Sequence, residues 1–224
     1  METQKRLQNG NNVDGDGSAL IFLGTGCSSA VPNAMCLLRP SDPPCHVCSQ
    51  SLQIATLISD FCSTNGMHNY ILIDVGKTFK EQVLRWFTFH KIPRIDSHCH
   101  KISLVQKKLR DGQEVRRVAQ LDWKIIEESC DKSFVASGLE FVPLPMMHGE
   151  DYICLGFLFG ENFKLAYISD VSRFPSNTEY VISKNGGGQL DFLILDCLYK
   201  KGSHNVHLCL PQVYSKFSNN SSSN

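Results

Sequence analysis

The sequence predicts one α/β or α+β domain, or a small pair of domains, with substantial antiparallel strand pairing. The chain has 224 residues, of which 42% are hydrophobic, enough for a real core. Short apolar segments bounded by turn residues outnumber the helical ones. Several of these segments follow one another directly, as the strands of antiparallel sheets do.

The predicted strands are short, apolar and bounded by Gly, Asp or Pro. They cover 19–23, 70–73, 139–144, 155–159, 165–169 and 192–195. Between the second and third of them, the segment 77–91 carries apolar residues at three- and four-residue spacing, which predicts a helix. A second helix is predicted over 119–128.

Composition restricts the environment and the partners of the protein. The polar segments 1–17 and 213–224 are predicted to be disordered tails around a domain at 18–212. Lys plus Arg and Asp plus Glu both count 22, so no global field attracts nucleic acid or an anionic membrane. No segment is apolar enough for a membrane span or a signal peptide. We therefore expect a cytoplasmic protein that does not bind nucleic acid or a membrane.

The first predicted strand ends in a glycine turn, Gly24-Thr25-Gly26. A dinucleotide-binding loop would need Gly or Ala at Ser29, followed by an uninterrupted helix. Instead Pro32 follows closely and favours an extended chain before it. The turn is therefore interpreted as a loop that lines a pocket.

The chain contains ten cysteines, which the cytosol would keep reduced. Cys36, Cys45 and Cys48 are grouped, and the "CHVC" sequence places two thiolates and His46 within reach of one ion. The spacing alone is equally consistent with a zinc site and with reduced loop thiols.

Polar residues follow several of the apolar strands: Asp74, His148, Asp170 and Asp196. Each one alone could cap the next turn. Because the edge of a sheet gathers strand ends, the four together with the glycine loop predict a hydrolytic site centred on a metal ion.

These motifs resemble the metallo-β-lactamase fold, and within it the branch of phosphoribosyl cyclic phosphodiesterase and the tRNA 3′-processing nucleases. The matching segments are "FLGTGCSSAVP", "ILIDVG", "PLPMMHGED" and "LAYISDVSRFP", in the order of the family. The resemblance implies an αββα sandwich, a small phosphodiester substrate, and a metal pocket walled by Gly24, Thr25 and Gly26. It also implies a structural zinc at Cys36, Cys45 and Cys48 with a histidine from near the C-terminus.

The central H-x-H-x-D-H motif of the family is incomplete in this chain. His98 and His100 fit its first two histidines, but Ile102 and Ser103 stand at the Asp and His positions. The apolar strand before the motif and the last metal-ligand histidine of the family are also not found. The domain is therefore predicted to be an incomplete member of the fold, with an opened sheet edge and uncovered apolar surface.

The number of remaining metal-ligand residues predicts one active-site ion at most, either zinc or manganese. His98, His100, His148 and Asp170 would hold it, and a second ion would keep only Asp170.

Two residues are assigned to catalysis by the resemblance, Asp74 in the second-strand motif and His207 near the phosphate. His207 is the candidate proton donor to the leaving oxygen, although it and His204 could equally be exposed histidines.

The sequence thus predicts a metal-dependent phosphodiesterase by ancestry, with weak or lost activity. One alternative is an inactive zinc-binding or partner-binding remnant. A redox enzyme of this fold would require a complete two-metal site, which the missing ligands argue against.

Overall fold

The computed structural model describes residues 17–26, 34–38, 56–63, 66–76, 78–99, 102–106, 121–183 and 190–218. These residues form two β-sheets and a small number of helices.

The first sheet contains six strands that lie side by side in chain order. They are β1 (Ala19–Gly24), β2 (Thr56–Cys62), β3 (His68–Ile73), β4 (Ser97–Cys99), β5 (Ile102–Gln106) and β6 (Leu121–Ile125). Neighbouring strands are antiparallel except β3 and β4, which are parallel. A parallel pair needs a crossover connection, and here the connection is helical.

The helices of this half of the chain lie between its strands. A short helix α1 (Ala34–Leu38) separates β1 from β2. The crossover consists of α2 (Phe79–Gln82), a π-helical turn (Val83–Phe87) and α3 (Thr88–His90). The helix predicted over 77–91 is thereby confirmed.

The second sheet contains five strands, with the order β11-β10-β9-β8-β7. They are β7 (Phe134–Ala136), β8 (Leu139–Met147), β9 (Ile153–Phe159), β10 (Leu165–Ile168) and β11 (Phe192–Leu195). β10 and β11 are parallel, and the other neighbours are antiparallel. The crossover between β10 and β11 contains α4 (Ser176–Ile182), and α5 (Leu210–Ser218) follows the last strand.

The main apolar core lies between the two sheets. Ile71 and Cys99 of the first sheet belong to the same buried cluster as Phe141, Phe157 and Tyr167 of the second. The aromatic rings of Phe141 and Phe157 meet edge to face, with centroids 6.0 Å apart. Burial of large side chains of this kind is the main favourable term in holding the sheets together.

Each sheet also packs helices on its outer face. Leu72 of β3 belongs to a second cluster that Phe79 and Phe87 of the helical crossover cover. On the other side, Ile168 of β10 belongs to a third cluster that Val213 of α5 covers. The layers are therefore helix, sheet, sheet and helix, which confirms the predicted αββα sandwich.

The structure corrects three expectations about individual segments. The predicted helix at 119–128 is wrong, because Leu121–Ile125 form β6. No strand was expected next to His98, but Ser97–Cys99 form β4, which contains His98 itself, and β4, β5 and β6 continue the first sheet. Helix α5 runs to Ser218 and so includes 213–218, which the sequence analysis assigned to a disordered tail.

Candidate metal centre

His148 stands immediately after the last residue of β8, at the turn into β9. Its backbone N–H donates to the carbonyl of Tyr152 across this turn, at 2.8 Å. Its ring Nδ1 lies 2.8 Å from the carbonyl oxygen of Val206. A carbonyl can only accept, so Nδ1 carries the hydrogen and Nε2 keeps its lone pair.

Asp170 follows β10 by two positions and adopts a left-handed backbone, with φ of 52°. Aspartate is one of the few residues with a side chain that tolerate this conformation. The segment that follows is held against the end of β8, since the Ser172 hydroxyl donates to the Met147 carbonyl at 2.9 Å. His148 and Asp170 are therefore brought to the same edge of the second sheet.

His207 comes from the segment between β11 and α5. The backbone N–H of Leu208 donates to the Val171 carbonyl at 2.7 Å, which ties this segment to the end of β10. The ring Nδ1 of His207 lies 2.6 Å from Asp196 Oδ2. The carboxylate of Asp196, at the end of β11, thus fixes the ring and again leaves Nε2 as the available nitrogen.

The three side chains converge. His148, Asp170 and His207 each offer one ligand atom, and these atoms all lie within 4.8 Å of one another. The ring centroids of the two histidines are 4.8 Å apart. All three side chains are half-buried, so the cluster is open to solvent on one side.

This donor set fits a divalent metal ion. Two imidazoles and one carboxylate form a catalytic zinc set in known enzymes and suit several other transition metals. Each histidine is anchored through its other ring nitrogen to a carbonyl or a carboxylate, which is typical of metal-ligating histidines. The cluster is therefore a candidate divalent metal site.

Asp74 lies near the cluster but is not one of its three residues, and its carboxylate accepts hydrogen bonds instead. It follows β3 with a left-handed φ of 63°. Its Oδ2 accepts from the hydroxyls of Tyr167 at 3.2 Å and Ser169 at 3.4 Å, and its Oδ1 accepts from the N–H of Val75. Burial, and next the charge of Asp74, raise the pKa of Tyr167 well above its usual range. Asp74 thereby links the end of the first sheet to the second sheet.

A pocket between the ends of the two sheets connects Asp74 to the cluster of candidate metal ligands. Its walls include Asp74, Cys99, Tyr167 and Asp170. Tyr152 also lines the pocket, and its ring lies against that of His148 with centroids 6.2 Å apart. A substrate group held in this pocket would therefore lie beside Asp170, one of the three candidate ligands.

Among the described residues, His98 is a predicted active-site ligand that does not join the cluster. His98 lies within β4, and its register partner is Leu72, which faces the outer helices. Its neighbour Cys99 faces the core between the sheets. Because successive residues of a strand alternate faces, His98 is on the outer face, away from Asp170. His100 lies outside the described residues.

The predicted structural zinc site and pocket loop are described in part. Cys36 lies in α1 and is half-buried, whereas Cys45 and Cys48 lie outside the described residues. Gly24 ends β1, and Thr25 and Gly26 follow it. These assignments therefore stay predictions.

The membership of His207 in the cluster was missed by the sequence analysis, which assigned it to proton transfer. A signal for it existed, because Asp196 was already one of the strand-end carboxylates. A histidine that follows such a carboxylate in a short loop can turn back onto it.

The comparisons with known proteins support the fold. No protein-family model and no curated protein sequence matches the chain. Among solved structures, the chain is similar to the crystal structure of a new diphosphatase from the PhnP family. The TM-score is 0.59 and the sequence identity 22%, over 90% of this chain and 82% of that chain. Together with the two sheets and their outer helices, this likeness shows a metallo-β-lactamase-like fold.

Proposed function

We propose that this protein is a metal-dependent hydrolase of small phosphodiesters, with a single ion held by His148, Asp170 and His207. The observation that carries the proposal is the convergence of these three residues with both imidazoles already anchored. The likeness to a phosphatase of this fold supports a phosphorus-containing substrate. Zinc and manganese are the candidate ions.

The residues of the chain prepare the site before any substrate arrives. The Val206 carbonyl and the Asp196 carboxylate each accept from the Nδ1–H of one ring, so that Nε2 is the nitrogen left for an ion in both rings. Asp170 supplies the negative charge of the ligand set. A divalent ion held by these groups would lower the pKa of a water molecule and polarise a phosphoryl oxygen.

His204 takes the place of His207 as the candidate proton donor. Its ring centroid lies 5.3 Å from that of His207. Its Nδ1 accepts a hydrogen bond from the N–H of Val206 at 3.3 Å, so in the neutral ring the proton is on Nε2. This N–H can donate a hydrogen bond to an oxygen of a substrate at the cluster. Transfer of a proton to the leaving oxygen would require the doubly protonated ring, in which Nδ1 no longer accepts from Val206.

The proposed activity is low compared with a two-ion enzyme. A second ion would stabilise the leaving oxygen by several kcal/mol, and each ~1.4 kcal/mol changes the rate tenfold. We therefore expect turnover about a thousandfold below that of a homologue with a complete two-ion site. The alternative, an inactive zinc-binding or partner-binding remnant of the fold, differs from our proposal in one outcome. It allows metal binding without any turnover.

The experiment is hydrolysis of bis(p-nitrophenyl) phosphate by chelator-treated protein with zinc, manganese or iron(II) added back. A diphosphate ester provides a second substrate, because the structural neighbour is a diphosphatase. His148→Ala should abolish turnover, whereas His90→Ala at the end of α3 should not. Turnover that survives His148→Ala would contradict the proposal. Stoichiometric metal binding with no turnover of either substrate would favour the remnant.

We also propose the structural zinc at Cys36, Cys45 and Cys48 as a second, separate ion. Three thiolates bind zinc tightly, so purified protein should retain about one zinc per chain at this position. Changing Cys45 and Cys48 together to serine should release it, as measured by elemental analysis. Unchanged zinc content in that double variant would remove this part of the proposal.

A further inference from the structure

The outer edge of β6 has no strand partner among the described residues. β6 pairs with β5 on one side, and the order of the first sheet ends with β6. In an antiparallel ladder, alternate residues direct their N–H and C=O groups to opposite sides of the strand. Half of the backbone groups of β6 therefore point away from the sheet, and such an edge can template pairing with another chain.

The edge also carries exposed apolar side chains. Trp123 is 59% exposed and Ile125 is 86% exposed, and both lie on the same face of β6 because they are two residues apart. The register of the ladder places Trp123 opposite Leu104 and Ile125 opposite Ile102. Trp123 and Ile125 therefore form an exposed apolar face at the end of the described sheet.

This face is the outer one. Leu104 is the register partner of His98 as well as of Trp123, and His98 lies on the outer face of β4. The described helical crossover covers Leu72 of β3. The apolar face thus lies beside the region that the helices cover, at the edge of the sheet.

The sequence of β6, "LDWKI", is complementary to itself in the antiparallel direction. If two copies pair about Trp123, Asp122 lies opposite Lys124 of the second copy, and Leu121 lies opposite Ile125. The central pair is two tryptophans. Opposite charges and aromatic pairs directly across two strands stabilise a ladder, whereas like charges destabilise it.

We propose that this chain forms a homodimer by antiparallel pairing of β6 with β6 of a second copy, with Trp123 at the two-fold axis. The same patch serves on both sides, so the interface closes and does not propagate into a filament. Pairing satisfies the outward backbone groups of both edges and buries part of the exposed apolar surface. The ligands of the candidate metal centre come from the other sheet and its following segment, so each copy keeps its own centre.

Charge reversal and restoration test this pairing in the full chain. Lys124→Asp places Asp against Asp at both pairs of the dimer, and Asp122→Lys places Lys against Lys. The double variant Asp122→Lys with Lys124→Asp restores opposite charges. Lys132→Asp, an exposed position outside β6, is the matched control.

Sedimentation velocity from micromolar to near-millimolar protein measures the outcome. We expect a concentration-dependent dimer for the natural chain and for the control. Each single variant should raise the dimer dissociation constant by about tenfold or more, and the double variant should return it close to the natural value. Thermal unfolding of each variant checks that the monomer is still folded.

Hydrogen exchange at residues 121–125 distinguishes a second copy from other occupants of the edge. In the proposed dimer, protection of these amides rises with protein concentration. Protection that is complete in the monomer would show that the chain covers its own edge and would overturn the proposal. A monomer at every concentration, or association that the single variants leave unchanged, would overturn it as well.

Discussion

The ends of the two sheets that face the pocket differ in what they contribute to the candidate metal centre. The second sheet and the segment after it supply His148, Asp170 and His207, within 4.8 Å of one another. From the first sheet, Asp74 reaches the pocket, but it is not one of the three clustered residues, and His98 points to the outer face. Within the part of the chain that the structure describes, all three candidate ligands therefore come from the second sheet and the segment after it.

The difference follows from where each residue stands relative to its strand. His148 and Asp170 lie beyond the ends of β8 and β10, where the backbone leaves the sheet and side chains turn into the pocket. His98 lies in the middle of β4, so the alternation of the strand sends its side chain to the face opposite Cys99. The side chain of His98 is therefore directed away from the pocket, although its neighbour Cys99 lines it.

The largest expected effect is on zinc affinity, and it distinguishes a histidine that follows the second sheet from one in the first sheet. His207→Ala should weaken zinc binding at the active site by at least about a hundredfold, because it removes one of three ligands, whereas second-sphere changes already cost about 10–100-fold. His98→Ala should leave the affinity nearly unchanged. Calorimetric titration of chelator-treated protein measures both, with Cys45 and Cys48 changed to serine so that only one ion is titrated.

The proposed difference between the two sheets is wrong if His207→Ala and His98→Ala have the same effect on zinc affinity. Equal loss of affinity would mean that His98 is a ligand and that the first sheet contributes to the centre. Equal retention would mean that the ion is held elsewhere.

The next effect concerns the anchoring of His207 by Asp196. Asp196→Asn keeps the shape of the side chain but removes the charge that holds the imidazole proton on Nδ1. Zinc affinity should fall by about 10–100-fold, as is usual for an outer carboxylate that orients a ligand histidine. Asp191→Asn is the matched control, since Asp191 also accepts a hydrogen bond, from the Lys164 N–H, but lies outside the cluster. The same affinity in both variants would show that Asp196 does not orient a ligand.

Most of the fold could be predicted from the sequence because the strands of the second sheet are apolar and bounded by turn residues. The segments 139–144, 155–159 and 192–195 correspond to β8, β9 and β11. The error at β6 has a local cause, since its apolar residues alternate with Asp122 and Lys124 over only five positions. Alternation with a period of two over so few residues does not distinguish a strand from part of a longer helix.

The candidate site could be predicted only where it depends on strand ends. His148 and Asp170 each follow an apolar strand, which is visible in the sequence. The position of His207 depends on long-range hydrogen bonds, from Leu208 to Val171 and from Leu198 to Leu208, that no periodicity encodes. The face of His98 depends on the exact start of a strand of three residues, and element boundaries are the least predictable feature of a sequence.

The smallest expected effect concerns the hydrogen bond that joins the two sides, from Tyr167 to Asp74. Tyr167 is 5% exposed, and Tyr167→Phe removes its hydroxyl without opening a large cavity. At neutral pH the variant should lose about 1.5 kcal/mol of unfolding free energy, a typical value for a hydrogen bond to a charged group. Urea unfolding measures this loss, with Tyr180→Phe at an exposed position as the control.

The pH dependence of that loss tests its cause. Burial and the Asp74 charge raise the pKa of Tyr167 in the folded protein, while in the unfolded chain the phenol ionises near pH ~10. Below this value both states are protonated and the contribution of Tyr167 is fully present. Above it only the unfolded state releases the proton, so the advantage of the natural protein over Tyr167→Phe should shrink by up to about 1.4 kcal/mol per pH unit. A difference that stays constant from pH 8 to above pH ~10 would show that Tyr167 ionises equally in both states, and that the phenol is not held between the sheets by Asp74.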